Sequence, residues 1–274
     1  MIRKTLKRGV ALALTLAAIS AAPALAGDPL HSFEEAKAAA AKSGQPILID
    51  FYAVWCGPCK VFTKASEAEG NLKSVLDNVV LVKLDAEKDK GLELAKEQKG
   101  VGYPTFVLMK SEGQTIDRWI GFTGGDEFAG SLKATLADPV PLSEREARFA
   151  ATPTETDASG LARVRNSRGE YAEAVGLYRK AAELSSRNGA YAMEIFWAQS
   201  SGQREGAVSA EDVATAGTAA IESGASVDDV LAISSVMTGV SRRAEKPEMA
   251  VPFLTAAVKA SEGATDEGTL RSRK

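Results

Sequence analysis

The sequence predicts an α/β domain, a mixed central sheet flanked by helices, followed by an all-α domain of helical hairpins. Three observations carry this. β-branched runs alternate with helical stretches over the first half of the chain. Two such runs, Thr105–Met109 and Thr115–Ile120, are joined by the short turn Ser111-Glu112-Gly113-Gln114. After Asp138-Pro139-Val140-Pro141-Leu142 the composition shifts to alanine, serine and glutamate, and β-branched runs cease.

The elements follow in order. Phe33–Lys42 is alanine-rich and reads as a helix, and Pro46–Val54 reads as a buried strand. Pro58–Ala68 is a helix, Leu72–Leu76 a short helical turn, Val79–Asp85 a strand and Lys88–Gln98 a helix. The hairpin strands come next, then a closing helix over Asp126–Leu136 with Gly125 before it. Strand–helix–strand followed by a hairpin implies parallel and antiparallel pairs in one sheet. Two prolines at alternate positions cannot continue a helix, so residues 139–158 are read as a linker. Three helical hairpins are expected over roughly 159–186, 188–223 and 227–261, within a second domain spanning 159–261. Residues 262–274 are glycine-rich and charged and read as a flexible tail.

The N-terminus reads as a targeting segment. Arg3, Lys4, Lys7 and Arg8 precede a short apolar stretch, and Ala24-Leu25-Ala26 is a small-x-small cleavage site. Residues 1–26 are thus expected to be a cleaved signal peptide, and 27–138 the first mature domain. The apolar stretch is too short to span a bilayer, so no membrane span is expected in the mature chain. Export, most simply to a bacterial periplasm, is a setting in which disulfides persist. Loss of those four basic residues takes the net charge from −3 to −7, which argues against a nucleic-acid partner.

The chemistry centres on Trp55-Cys56-Gly57-Pro58-Cys59-Lys60. These are the only two cysteines in the sequence. A strand that delivers Cys-x-x-Cys into a helix N-terminus suits a redox dithiol, because free N–H groups and the helix dipole stabilise a thiolate on Cys56. A structural bridge is the alternative, but it closes a tiny loop and removes little unfolded-state entropy. A metal site normally takes four ligands, and the sole histidine, His31, lies well before the motif. No metal and no cofactor is expected. Cys56, with the more exposed sulfur, is read as the nucleophile and Cys59, one turn deeper, as the resolving thiol. Gly57 and Pro58 set the turn, since proline is tolerated where the N–H has no helical partner.

These segments together resemble the thioredoxin family. Leu48-Ile49-Asp50-Phe51-Tyr52 and Trp55–Lys60 are similar to its active-site signature, and Val79–Asp85 to its next strand. Val101-Gly102-Tyr103-Pro104-Thr105-Phe106 resembles its cis-proline loop, and Gly113 and Gly121 the glycines around its last hairpin. The resemblance covers roughly 33–137. It implies that Asp50 is a buried acid beneath the dithiol that moves the proton of Cys59, with Lys83 as its neighbour. By alternation alone, Asp50 could instead face solvent, and Lys83 could be a surface strand residue. The resemblance also implies a cis Tyr103–Pro104 bond and an apolar substrate groove formed by Trp55, Tyr103 and Gly121; core packing is the other reading of Trp55. Two departures stand out. The helix after Cys59 lacks the family's kinking proline, and Glu67–Asn78 is closer in style to periplasmic thiol–disulfide interchange relatives.

The function expected is exchange of disulfides with exported proteins, in the reducing direction, recharged by a membrane or periplasmic electron donor. Gly-Pro between the cysteines resembles the reducing members. The helical region resembles a tetratricopeptide repeat at Gly169-Glu170-Tyr171, Ala174, Tyr178 and Ala181, and a plain helical bundle fits equally. This opens a second expectation, a holdase or binding module in which the helices hold clients and the dithiol is secondary.

Overall fold

A computed structural model describes residues 29–262, apart from Glu69 and Thr123. The signal peptide expected at 1–26 and nearly all of the tail expected at 262–274 lie outside the described residues. Among these, no helix is long and apolar enough to cross a membrane.

The first unit is built on a four-stranded sheet of order β2-β1-β3-β4. Its strands are β1 (Ile47–Tyr52), β2 (Val80–Asp85), β3 (Thr105–Met109) and β4 (Thr115–Ile120). β1 runs parallel to β2, with Asp50 beside Lys83, and antiparallel to β3, with Asp50 opposite Phe106. Gly113, at φ +92°, supplies the left-handed turn between β3 and β4. Helices α1 (Phe33–Ser43) and α4 (Asp89–Glu97) cover one face. There Ala36, Ala40, Ile49, Phe51, Val82 and Leu94 share a core. Helices α2 (Gly57–Glu67), α3 (Asn71–Leu76) and α5 (Gly125–Ala137) cover the other face, where Leu48, Phe62, Phe106, Ile116 and Phe128 pack together. Phe62 and Phe106 meet edge to face at 4.6 Å. A thioredoxin-like α/β domain with a mixed four-stranded sheet is therefore followed by an all-helical region, as the sequence implies.

The helical region comprises α6 (Leu142–Ala151), α7 (Glu155–Ser167), α8 (Tyr171–Leu184), α9 (Ala192–Arg204), α10 (Ala210–Glu222), α11 (Val227–Arg243) and α12 (Val251–Ala260). Thr154, Ser209 and Ser226 cap α7, α10 and α11 with their hydroxyls. The stretch expected to be a linker, 139–158, contains all of α6 and the start of α7. The physical reason lies at Pro141. It ends one segment but sits at the N-cap of α6, where its missing N–H costs nothing. Leu142–Ala151 can then wind freely.

The two units do not meet through a loose tether. Asp117 on β4 is wholly buried. It accepts from Arg163 on α7 (Nη2 at 2.6 Å, Nε at 3.2 Å) and from Arg145 on α6 (3.3 Å). It also accepts from Thr135 on α5 at 2.9 Å. Its neighbour Arg118, also wholly buried, donates to Ser167 at the end of α7 and to Gln98 at the end of α4, each at 3.0 Å. A buried carboxylate is tolerable only with such partners, and here two come from the helical region.

Candidate functional site

Cys56 is the N-cap of α2, and Pro58 lies in the helix's first turn. The cysteines are disulfide-bonded, with Cα atoms 5.3 Å apart. The Cys59 N–H donates to Cys56 Sγ at 3.1 Å. A helix N-terminal N–H aimed at that sulfur is the contact that stabilises a thiolate there. The expected difference in exposure is not found in this state, because both residues are 3 % exposed. The asymmetry is electrostatic: only Cys56 holds the capping position.

Asp50 is wholly buried. The alternative of a solvent-facing carboxylate fails because both faces of β1 are covered. Asp50 shares the face of Leu48, on which α2 lies. Neither carboxylate oxygen has a hydrogen-bond partner among the described residues. Burial raises its pKa from 3.8 to about 7, against the attraction of Lys83, which lowers it. Lys83 Nζ stands 3.9 Å from Asp50 Oδ2, with its side chain only 10 % exposed, so it is no surface residue.

Lys83 also donates to the Thr63 hydroxyl, and that hydroxyl donates to the Cys59 carbonyl at 3.1 Å. The acid is thus tied through Lys83 and Thr63 to the backbone of the deeper cysteine. Sequence reading missed Thr63; its signal was its position one turn after Cys59, on the same helix face.

The Tyr103–Pro104 bond is cis. Tyr103 packs against the cluster of Ala53, Cys56 and Cys59. Its backbone N–H and carbonyl make no hydrogen bond among the described residues. Gly121, at φ +79°, donates its N–H to the Pro104 carbonyl at 2.8 Å and closes the loop from the β4 side. Trp55 is 66 % exposed, which excludes core packing. Its indole N–H donates to both carboxylate oxygens of Glu87 at 3.0 Å, and its ring meets Tyr103 edge to face at 6.0 Å. Glu87, a second residue missed from the sequence, fixes the indole over the rim of the site. Gly57 and Pro58 are exposed beside it.

Fold and pair together define a thioredoxin-like oxidoreductase domain with a Cys-x-x-Cys active-site pair. The family model described as "Thioredoxin-like" matches residues 28–111. Thioredoxin of Mycolicibacterium smegmatis is 34 % identical over 94 residues, covering 34 % of this chain and 81 % of that protein. The chain belongs to the thioredoxin-like family through this domain. The thiol:disulfide interchange protein DsbD of Pectobacterium atrosepticum is 31 % identical over 109 residues, covering 38 % of this chain. The chain spans only 19 % of that protein's length. Among solved structures, the oxidised C-terminal domain of Neisseria meningitidis DsbD has a TM-score of 0.35 at 20 % identity, covering 39 % of this chain and 98 % of that one.

Asp50→Asn tests the buried acid in two ways. A folded pKa above the unfolded one means that the native state binds the extra proton. Its stabilising contribution is complete below about pH 3.8 and is lost as pH rises towards 7. Above pH 7 the ionised carboxylate opposes folding by up to about 4 kcal/mol, which an amide relieves. Urea unfolding at pH 8 is expected to show a more stable variant, with the difference vanishing near pH 4. Exchange should slow by about tenfold or more at neutral pH. Equal stability at both pH values would show that the carboxyl titrates normally.

Proposed function

We propose that this protein is an exported thiol–disulfide oxidoreductase that reduces disulfides in protein substrates. The observation that carries the reading is Cys56 at the N-cap of α2, its sulfur accepting the Cys59 N–H. The reduced enzyme's Cys56 thiolate attacks a substrate sulfur. The substrate S–S bond breaks, a mixed disulfide forms, and the departing sulfur takes up a proton. Cys59, its proton drawn off by the Asp50 carboxylate, then attacks Cys56 Sγ. The substrate leaves as a dithiol, two electrons richer, and the enzyme is left with the Cys56–Cys59 disulfide. Lys83 steadies the Asp50 charge, while Trp55, Tyr103 and Gly121 frame the substrate chain around the cis-Pro104 loop. An electron donor of the membrane or periplasm must then restore the dithiol.

The reducing direction is supported by Gly57-Pro58, and export by the N-terminal pattern of basic, apolar and small-x-small residues. Reading the helical region as tetratricopeptide-like is supported by its successive hairpins and by the close contact of Ala162, Ala174 and Tyr178. Equilibration of the pair against a glutathione series tests direction. Reduction potentials run from about −270 mV for thioredoxin to about −120 mV for a strongly oxidising relative. A value near the first is expected, and one near the second would reverse the assigned direction.

The second reading, a client-binding module, is favoured by Val251, Leu254 and Val258. These are exposed along one face of α12. Client capture that survives Cys56→Ser would favour it.

A further inference from the structure

A groove of about 870 Å³ lies between the two units, beside the dithiol. Neither cysteine lines it, but Tyr103 does, and Tyr103 packs against both cysteines. One wall is the cis-proline loop with Gly121 and Phe122 from the first unit. The facing wall comes from the helical region: Tyr171, Tyr178, Tyr191 and Trp197, the first two largely buried, with the charged Glu194 and Arg204 among them. Trp197 is 39 % exposed, an indole the helical core has not absorbed.

The walls are held in register. Gly169, at φ +78° in the turn between α7 and α8, lies so near the cis-proline loop that a Cβ there would stand 3.1 Å from Val101 Cγ1. The Asp117–Arg163 and Arg118–Ser167 contacts pin α7 to β4 just behind. A groove fixed before binding loses little entropy in taking up a ligand.

Its chemistry suits a polypeptide. Tyrosine and tryptophan offer large, stiff contact surfaces with polar tips, the composition enriched where proteins meet. Tyr103 adds a backbone N–H and carbonyl with no partner among the described residues, which can pair with an extended segment. Tyr103 lines the groove and packs on the dithiol cluster, so a chain whose cysteine lies on Cys56 can pass over Tyr103 into the groove.

We propose that this groove holds the segment flanking the reacting cysteine of a disulfide-bonded protein substrate, so that the helical region selects substrates by aromatic and large apolar side chains near that cysteine. The proposal rests on the thiol–disulfide exchange reading for the identity of its ligand, but binding can be measured without chemistry.

The test uses the full chain in its oxidised form. A labelled extended peptide, with serine in place of cysteine and tryptophan and leucine on one side, is titrated by fluorescence anisotropy. A glycine–serine peptide of equal length is the control. The aromatic peptide is expected to bind more tightly, and Trp197→Ala to weaken it about tenfold. Ser201→Trp, which places bulk in the groove from the surface of α9, is expected to weaken it comparably. Unchanged affinity in both variants overturns the proposal. A kinetic arm uses the same peptide, with its cysteine restored, as a mixed disulfide with glutathione. The ratio of its reduction rate to that of glutathione disulfide should fall about tenfold in Trp197→Ala. An equal fall on both substrates also overturns the proposal, since Trp197 would then act on the dithiol. If the wild-type chain binds the peptide but reduces neither disulfide, the groove stands and the oxidoreductase reading fails.

Discussion

Cys56→Ser is expected to bring disulfide reduction down to the uncatalysed background, a loss on the order of 10³-fold or more. Cys59→Ser should instead accumulate mixed disulfides. The roles differ because only one sulfur receives the helix-terminal N–H. A hydroxyl in place of Cys56 leaves no thiolate to attack, and Cys59, one turn into α2, has no such contact. Without Cys59 the first step still proceeds, but nothing resolves it. Insulin reduction measures the first variant. Non-reducing gels of cell extracts measure the second, and the double variant should trap nothing. Equal trapping by Cys56→Ser would reverse the assignment. Brief alkylation of the reduced wild type adds an independent check, with Cys56 labelling ahead of Cys59. That order should appear even though both residues are equally buried in the oxidised state, because thiolate fraction governs the rate.

Much of the first unit was legible because each of its signals is local. β1 is an apolar run bounded by a proline and by the dithiol turn, β3 and β4 are joined by a glycine turn, and α1 is alanine-rich between Ser32 and Gly44. Asp50 was ambiguous from sequence. Alternation says only which face a residue takes, and whether that face is covered depends on α2, α3 and α5. The links of Lys83 through Thr63, and of Trp55 to Glu87, join residues 20 and 32 positions apart, and no local pattern announces them. The helical region was harder. Its first boundary turns on Pro141, and a proline reads equally as the end of one segment or the opening of the next helix, which is what it is here. Asp117 and Arg118 gave no signal at all. A charged pair in a hairpin strand looks solvated until the arginine and serine that bury it arrive 28 to 49 residues later.

That buried pair makes the second large prediction. Asp117→Ala is expected to destabilise the protein by about 3–5 kcal/mol, because it leaves Arg145 and Arg163 without their carboxylate. The Arg145 side chain is 4 % exposed and can recruit little water, whereas that of Arg163 is 27 % exposed and recovers part of the loss. Against a typical total of about 5–15 kcal/mol, this is a large fraction. The effect should show in how the chain unfolds as well as in how readily. Asp117 receives hydrogen bonds from α5, α6 and α7 together, so the wild-type units are expected to unfold in one urea transition. In the variant that transition should move down by about 1–3 M and split, with the helical region lost first. The pH dependence gives the sign a second check. Burial alone would raise the Asp117 pKa, but Arg163, Arg145 and the Arg118 N–H together hold it below the usual carboxylate range. Its contribution is therefore present above about pH 4 and is lost as pH falls through the depressed folded value. The acid limb of the stability curve should flatten in Asp117→Ala. Two separate transitions in the wild type, unaltered by the substitution, would show that the units are energetically independent. The helical wall of the groove beside the dithiol would then have no rigid support.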